Sequence, residues 1–204
     1  MLGAIIGDMV GSPYEFHQWQ GAAEAFPLFS PCSRFTDDTV MTVAVARGLM
    51  QAYGQEQACR EAFIDAMHEY GRAYSRAGYG QRFFRWIVTG SREPYNSFGN
   101  GSAMRVSPVG WACDSLEETE RYAALSASVT HDHPEGIKGA CATAAAIFLA
   151  RDGAGRDAIR DYVSSRYGYD LARSLAEIRP AYRHKESCQE SVPEAIIAFL
   201  ESRS

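Results

Sequence analysis

Two aspartates, Asp37 and Asp38, stand side by side between Thr36 and Thr39, at the head of the apolar run "TVMTVAVARGLMQAYG" (39–54). The pattern supports two kinds of chemistry. Thr36 can cap a helix, and carboxylates in a first turn favour the helix dipole. Alternatively, two carboxylates and a hydroxyl are hard oxygen donors of the kind taken by Mg²⁺, Mn²⁺ or Ca²⁺, and adjacent carboxylates attract each other only through a cation. The residues alone leave both readings open.

Three other stretches carry groups capable of chemistry. In "GAIIGDMVGSPYEF" (3–16), Gly3, Gly7 and Gly11 fall on one helix face, which predicts close approach of another helix. Asp8, Ser12 and Glu15 would share a face if the helix ran on, which Pro13 opposes. A carboxylate in an apolar helix needs a partner, so Asp8 is expected to bond a nearby backbone or hydroxyl group. Glu15, in the polar loop beyond, is the better candidate for chemistry. In "SFGNGSAMRVSP" (97–108), Gly99, Asn100, Gly101 and Ser102 read as a loop feeding a short helix through Ala103, Met104 and Arg105. Such loops offer backbone N–H groups to phosphates, although Gly-Asn-Gly-Ser also makes an ordinary turn. In "SVTHDHPEG" (128–136), His131 and His133 could bind metal, carry protons or touch substrate, or simply be structural.

Helical periodicity predicts the elements that must position these groups. Besides 39–54, helices are expected over 56–78, 80–90, 115–129, 134–153, 154–168, 170–180 and 191–204. Ser115 and Glu118 form a capping-box pattern. No strand pattern stands out, so the fold is expected to be all-α, a single domain of about eight or more helices. The loops at 13–35 and 91–103 are long and polar, as functional loops often are.

Composition sets outer bounds. With 204 residues and 46% apolar content, the chain can bury a substantial core. A net charge of −5, without any basic block, argues against nucleic acid as the main partner. No apolar run is long enough to span a membrane, and Asp8 interrupts the N-terminal apolar stretch, which is not read as a signal peptide. Five widely spaced cysteines read as reduced, mostly buried thiols of a cytoplasmic protein.

Taken in order, G-x-x-x-G-D-x-x-G-x-x-x-E (3–15), F-T-D-D-T (35–39), G-N-G-x-x-M-R-x-x-P (99–108) and the T-H-x-H junction (130–133) resemble the ADP-ribosylglycohydrolase family over nearly the whole chain. That family includes dinitrogenase reductase-activating glycohydrolase and the ADP-ribosylarginine and ADP-ribosylserine hydrolases. The resemblance implies a compact all-α fold with a binuclear Mg²⁺ or Mn²⁺ centre in a cleft. It implies Thr36, Asp37 and Asp38 as metal ligands, and Glu15 and Asp37 as catalytic carboxylates. Gly99, Asn100, Gly101, Ser102 and Met104 would hold the diphosphate and distal ribose, with His131 against the same part of the substrate. Loop 13–35 would form a lid or adenosine-side wall. The implied reaction is hydrolysis of the glycosidic bond between ADP-ribose and a protein side chain or small molecule.

One family feature is absent. Members carry a second metal motif, G-G-D-T-D-T or close to it, on a C-terminal segment; here "CQESVPEAIIAFLESRS" resembles the helix before it. The domain is therefore expected to be incomplete at its C-terminus, with half the metal ligands missing. The alternative to an active hydrolase is an impaired or passive ADP-ribose-binding module. Missing helices are also expected to expose Ile196, Ile197, Phe199 and Leu200 and to favour a homo-oligomer through that end.

Overall fold

A computed structural model describes residues 1–16 and 27–202. Among them are ten α-helices: α1 (Leu2–Gly11), α2 (Asp37–Ala52), α3 (Glu56–Ala73), α4 (Gln81–Thr89), α5 (Ser107–Ala112), α6 (Leu116–Ser128), α7 (Pro134–Arg151), α8 (Arg156–Tyr167), α9 (Leu175–Ile178) and α10 (Cys188–Glu201). No strand occurs among the described residues, only an isolated antiparallel bridge between Gly99 and Ser187. The all-α fold expected from periodicity is the fold observed.

The order of packing follows from α7. Its "GACATAAAIF" core is apolar on all sides, and small side chains let helices close in from two directions. Ala140 and Ala144 face a first core of α2, α3, α4, α5 and α6 residues, among them Met41, Phe63, Ile64 and Tyr122. Ala142 and Ala146 face a second core with Ile159 and Val163 of α8 and Val192, Ile197 and Leu200 of α10. Each large apolar side chain fully buried here contributes about 1.5–3 kcal/mol.

Helix ends obey local chemistry. Thr36 caps α2 by accepting from the Asp38 N–H. Ser115 accepts from the Glu118 N–H, but the Glu118 carboxylate takes the N–H of Asp114, so only half of the expected capping box forms. His133 Nδ1 caps α7 by accepting from the Glu135 N–H, with Pro134 at the first helical position. A full box appears instead at Ser174 and Glu177, where the helix predicted over 170–180 shrinks to α9. The last helix begins at Cys188, ahead of the predicted 191, and carries Pro193 in its interior. The helix expected through Ala103–Arg105 is replaced by a 3₁₀ turn over Asn100–Ser102, and α5 starts only at Ser107.

Two packing expectations are overturned. Ile196, Ile197 and Leu200 are 5%, 1% and 4% exposed, because α10 lies against α7 and shares a core with α8; only Phe199 is exposed, at 42%. On α1, by contrast, no residue is buried, and Leu2 and Ile6 are 76% and 51% exposed. The Gly3–Gly7–Gly11 stripe, expected to meet another helix, has no neighbouring atom among the described residues where side chains would project.

Candidate active site

Asp8 is the first organising residue. Its carboxylate accepts four hydrogen bonds: the N–H of Thr36 at 2.7 Å, the N–H of Thr39 at 3.2 Å, the Thr36 hydroxyl at 2.6 Å and the Thr39 hydroxyl. The expectation that Asp8 bonds backbone and hydroxyl groups matches this geometry. It fastens α1 to the start of α2 and accepts the Thr36 hydroxyl proton in a hydrogen bond, while the same oxygen accepts from the Asp38 N–H.

Asp37 and Asp38 follow on the first turn of α2. Burial pushes Asp37 up to about 7, with the charges of Asp38, Glu15 and Asp8 adding to the shift. Burial and the charges of Asp8 and Glu15 push Asp38 up to about 6. Ionising both therefore costs free energy that their local hydrogen bonds offset only in part. The Asp37 N–H donates to the Ala77 carbonyl at 3.0 Å, and Gly78, at φ +112°, carries the chain past the Asp37 carboxylate.

Glu15 lies beyond the end of α1, which stops at Gly11; Asp8, Ser12 and Glu15 line one cleft although they do not share a continuous helix. The cleft has a volume of about 1530 Å³. Thr36, Asp37 and Asp38 line it, as do Gly99, Asn100, Gly101, Met104 and His131. The structure thus brings nearly every sequence-selected group to one place.

Two selected residues are placed elsewhere. Ser102 is fully buried and does not line the cleft; its hydroxyl donates to the Gly136 carbonyl at 2.7 Å and lies 3.6 Å from Cys188 Sγ. It pins the glycine loop to α7, so its side chain is not available to a ligand in the cleft. His133 serves as the α7 cap and packs against Phe98. The loop also spends one of its own donors, since the Asn100 N–H bonds the Glu186 carbonyl at 2.7 Å.

Some site residues had no signal in the sequence. The loop Gly78–Gln81 lines the cleft, and within it the Tyr79 hydroxyl is buried with no hydrogen-bond partner among the described residues. The Gly-x-Gly spacing around Tyr79 was the only available hint. The segment Tyr182–Glu186 forms another wall, and His184 rests against Phe16 with ring centroids 5.1 Å apart. Residues 17–26 of the expected lid lie outside the described residues.

A family model for ADP-ribosylglycohydrolase matches residues 1–203. The chain belongs to the ADP-ribosylglycohydrolase family. It is 31% identical to ADP-ribosylhydrolase ARH3 of Mus musculus, over 75% of this chain and 48% of that protein. Its identity to ADP-ribosylhydrolase ARH3 of Homo sapiens is also 31%, over 75% and 49%. An uncharacterised protein of Archaeoglobus fulgidus is 31% identical over 72% of this chain and 53% of its own length. The chain spans about half the length of the curated relatives it matches.

Membership of this family raises the question of a metal. Among the described residues, no three acidic, histidine or cysteine side chains converge to enclose an ion. Thr36, Asp37 and Asp38 nevertheless fit a hard divalent cation in donor type and in charge, since both carboxylates are destabilised by burial and by their neighbours. Among the described residues they are not joined by a closed set of ligands. No helix among the described residues is long and apolar enough to cross a membrane.

Proposed function

We propose that this chain carries a cleft that binds ADP-ribose and hydrolyses its glycosidic attachment to a protein side chain or small molecule. The observation that carries the reading is the convergence of Asp8, Glu15, Asp37 and Asp38 on one wall of a cleft that the Gly99–Gly101 loop and His131 also line. The charge and burial of that wall suit a glycosidic transition state with positive character at ribose C1.

In this reading Thr36, Asp37 and Asp38 would hold Mg²⁺ or Mn²⁺, two ions in the family. A bound cation would fix ribose hydroxyls and acidify a water. Asp8 keeps Thr36 and Thr39 in register for that role. Glu15 accepts the proton of the attacking water, and Asp37 is the other carboxylate placed to do so. The water oxygen bonds to C1, the C1–N or C1–O bond breaks, and its electron pair leaves with the released group, which takes up a proton. Gly99, Gly101, Met104 and His131 hold the diphosphate side of the substrate. The free thiols Cys59, Cys113, Cys141 and Cys188, all buried, fit a cytoplasmic setting.

A second reading has one observation in its favour. Among the described residues no set of side chains closes the cation site, which suits a passive ADP-ribose-binding module. Glu15→Ala separates the two. An ADP-ribosylglycohydrolase loses turnover of an ADP-ribosylated peptide by about 10²-fold or more, with ADP-ribose affinity changed less than about threefold. A wild-type chain that binds ADP-ribose and releases none from peptide, with Mg²⁺ or Mn²⁺ present, supports the module.

A further inference from the structure

Arg105 is a fully buried cation with no ion-pair partner among the described residues. Burying an uncompensated charge costs several kcal/mol, and an apolar side chain would fill the same space without that cost. Arg105 is also incompletely satisfied, since its Nε has no hydrogen-bond acceptor. One guanidinium nitrogen donates to the Ser126 carbonyl at 2.9 Å and to the Thr130 hydroxyl at 2.8 Å. That hydroxyl lies 2.7 Å from His131 Nδ1.

The directions of these bonds follow from elimination. A guanidinium only donates, so the Thr130 oxygen accepts from Arg105. Thr130 is fully buried, and His131 Nδ1 is the acceptor in reach of its own proton. Nδ1 is then unprotonated, and the neutral ring carries its proton on Nε2. Burial first, then the charges of Arg105 and Arg82, holds His131 well below its ordinary pKa and keeps the ring neutral. Tyr95 packs against the ring, and the neighbouring Asp132 carboxylate is occupied by the Asn96 N–H.

Nε2 faces the glycine loop. A Cβ placed on Gly101 would lie 3.0 Å from it, and one on Gly99 3.7 Å. The two glycines leave open the space into which the N–H projects.

Resting on the reading of this cleft as an ADP-ribose site, we infer that Arg105 and Thr130 are positioning residues for substrate recognition. Their hydrogen-bonded chain fixes His131 as the Nε2–H tautomer and aims that single donor at the Gly99–Gly101 loop, where an oxygen of ADP-ribose accepts it. Arg105 adds unneutralised positive charge behind the same loop, which favours a diphosphate.

The test joins nitrogen-15 NMR of the His131 ring, in ligand-free protein at pH 7, with ADP-ribose calorimetry on the wild type, Thr130→Val and Thr130→Ser. The expected wild-type ring is protonated at Nε2 and bare at Nδ1. Thr130→Val, which keeps the shape and removes the hydroxyl, should mix or reverse the tautomers and weaken ADP-ribose about tenfold. Thr130→Ser should restore both. An Nδ1–H ring in the wild type, or a Thr130→Val protein with wild-type tautomer and affinity, overturns the inference. A wild type with the Nε2–H ring that binds no ADP-ribose leaves the relay in place but overturns its recognition role together with the proposed function. If Thr130→Val does not fold, the wild-type spectrum and the Thr130→Ser affinity still decide the matter, because a serine that fails to bind contradicts it.

Discussion

Asp37→Asn should abolish hydrolysis and at the same time make the metal-free protein more stable at alkaline pH. The loss of turnover is expected to exceed about 10³-fold, because in the proposed function one substitution removes both a catalytic carboxylate and a cation ligand. The gain in stability follows from linkage. Burial and the neighbouring charges raise Asp37 to about 7 and Asp38 to about 6 in the folded chain, above the ordinary value of 3.8. Folding therefore favours the protonated forms. Their contribution is fully present below about pH 3.8 and is lost as pH rises through about 6 and 7. At pH 8 both carboxylates are charged, mutually repelling and partly desolvated. Asparagine removes one of those charges, so melting of the chelated variant at pH 8 should lie about 2–8 °C above wild type. At pH 4 the two proteins should melt within about 2 °C of each other. Thermal melts with chelator at both pH values provide the check. A variant that is less stable at pH 8 would mean that the helix-dipole contribution of Asp37 outweighs its repulsion.

Gly136→Ala should weaken both the fold and the site. A Cβ at this position would lie 2.6 Å from the Ser97 carbonyl oxygen and 3.1 Å from both the Cβ and the carbonyl oxygen of His131. Two of those contacts are backbone, which cannot swing aside. Ser97 leads into the glycine loop and His131 faces it, so relief of the clash must spread the two walls of the cleft. Alanine is the better helix former by up to about 1 kcal/mol, but overpacking against backbone costs about 1–3 kcal/mol or more and should win. The expected result is a melting temperature lower by about 2–8 °C and ADP-ribose affinity lower by about tenfold or more. Gly3→Ala makes the contrast, since nothing stands within 4 Å of its Cβ position. There helix propensity acts alone, and a small rise in stability is expected.

The all-α architecture could be read from the chain because the helices are amphipathic or uniformly apolar with the 3.6-residue period, and because their caps are local. The candidate site was legible to the same degree. Thr36, Asp37, Asp38, Glu15, the Gly99–Gly101 loop and His131 sit in contiguous motifs, and each motif arrives at the cleft on its own element. What escaped the sequence is what depends on distant partners. Arg105 and Thr130 meet across 25 positions, and no local pattern ties them. The direction of the Ser102 side chain depends on α7 passing beneath a 3₁₀ turn where an α-helix was expected. Ile196, Ile197 and Leu200 were expected at the surface, but α10 shares a core with α7 and α8. The glycine stripe of α1 announced a close helix neighbour, yet among the described residues that face is open.

Asp8 shows how the two readings of the Thr36–Thr39 stretch merge. The cap exists, and so does the carboxylate cluster. Thr36 can cap α2 and still present oxygen to a cation, because Asp8 accepts its hydroxyl proton in a hydrogen bond. In the proposed reading, the helix start and one side of the cation site are the same atoms.

Calorimetric titration of the metal-stripped chain with ADP-ribose, in the absence and in the presence of Mg²⁺ or Mn²⁺, tests the central claim most directly. If Thr36, Asp37 and Asp38 hold a cation beside the bound ribose, affinity should rise with metal by about tenfold or more, and Asp37→Asn should erase that rise. Affinity that is the same with and without either metal would contradict a metal-assisted ADP-ribosylglycohydrolase site in this cleft.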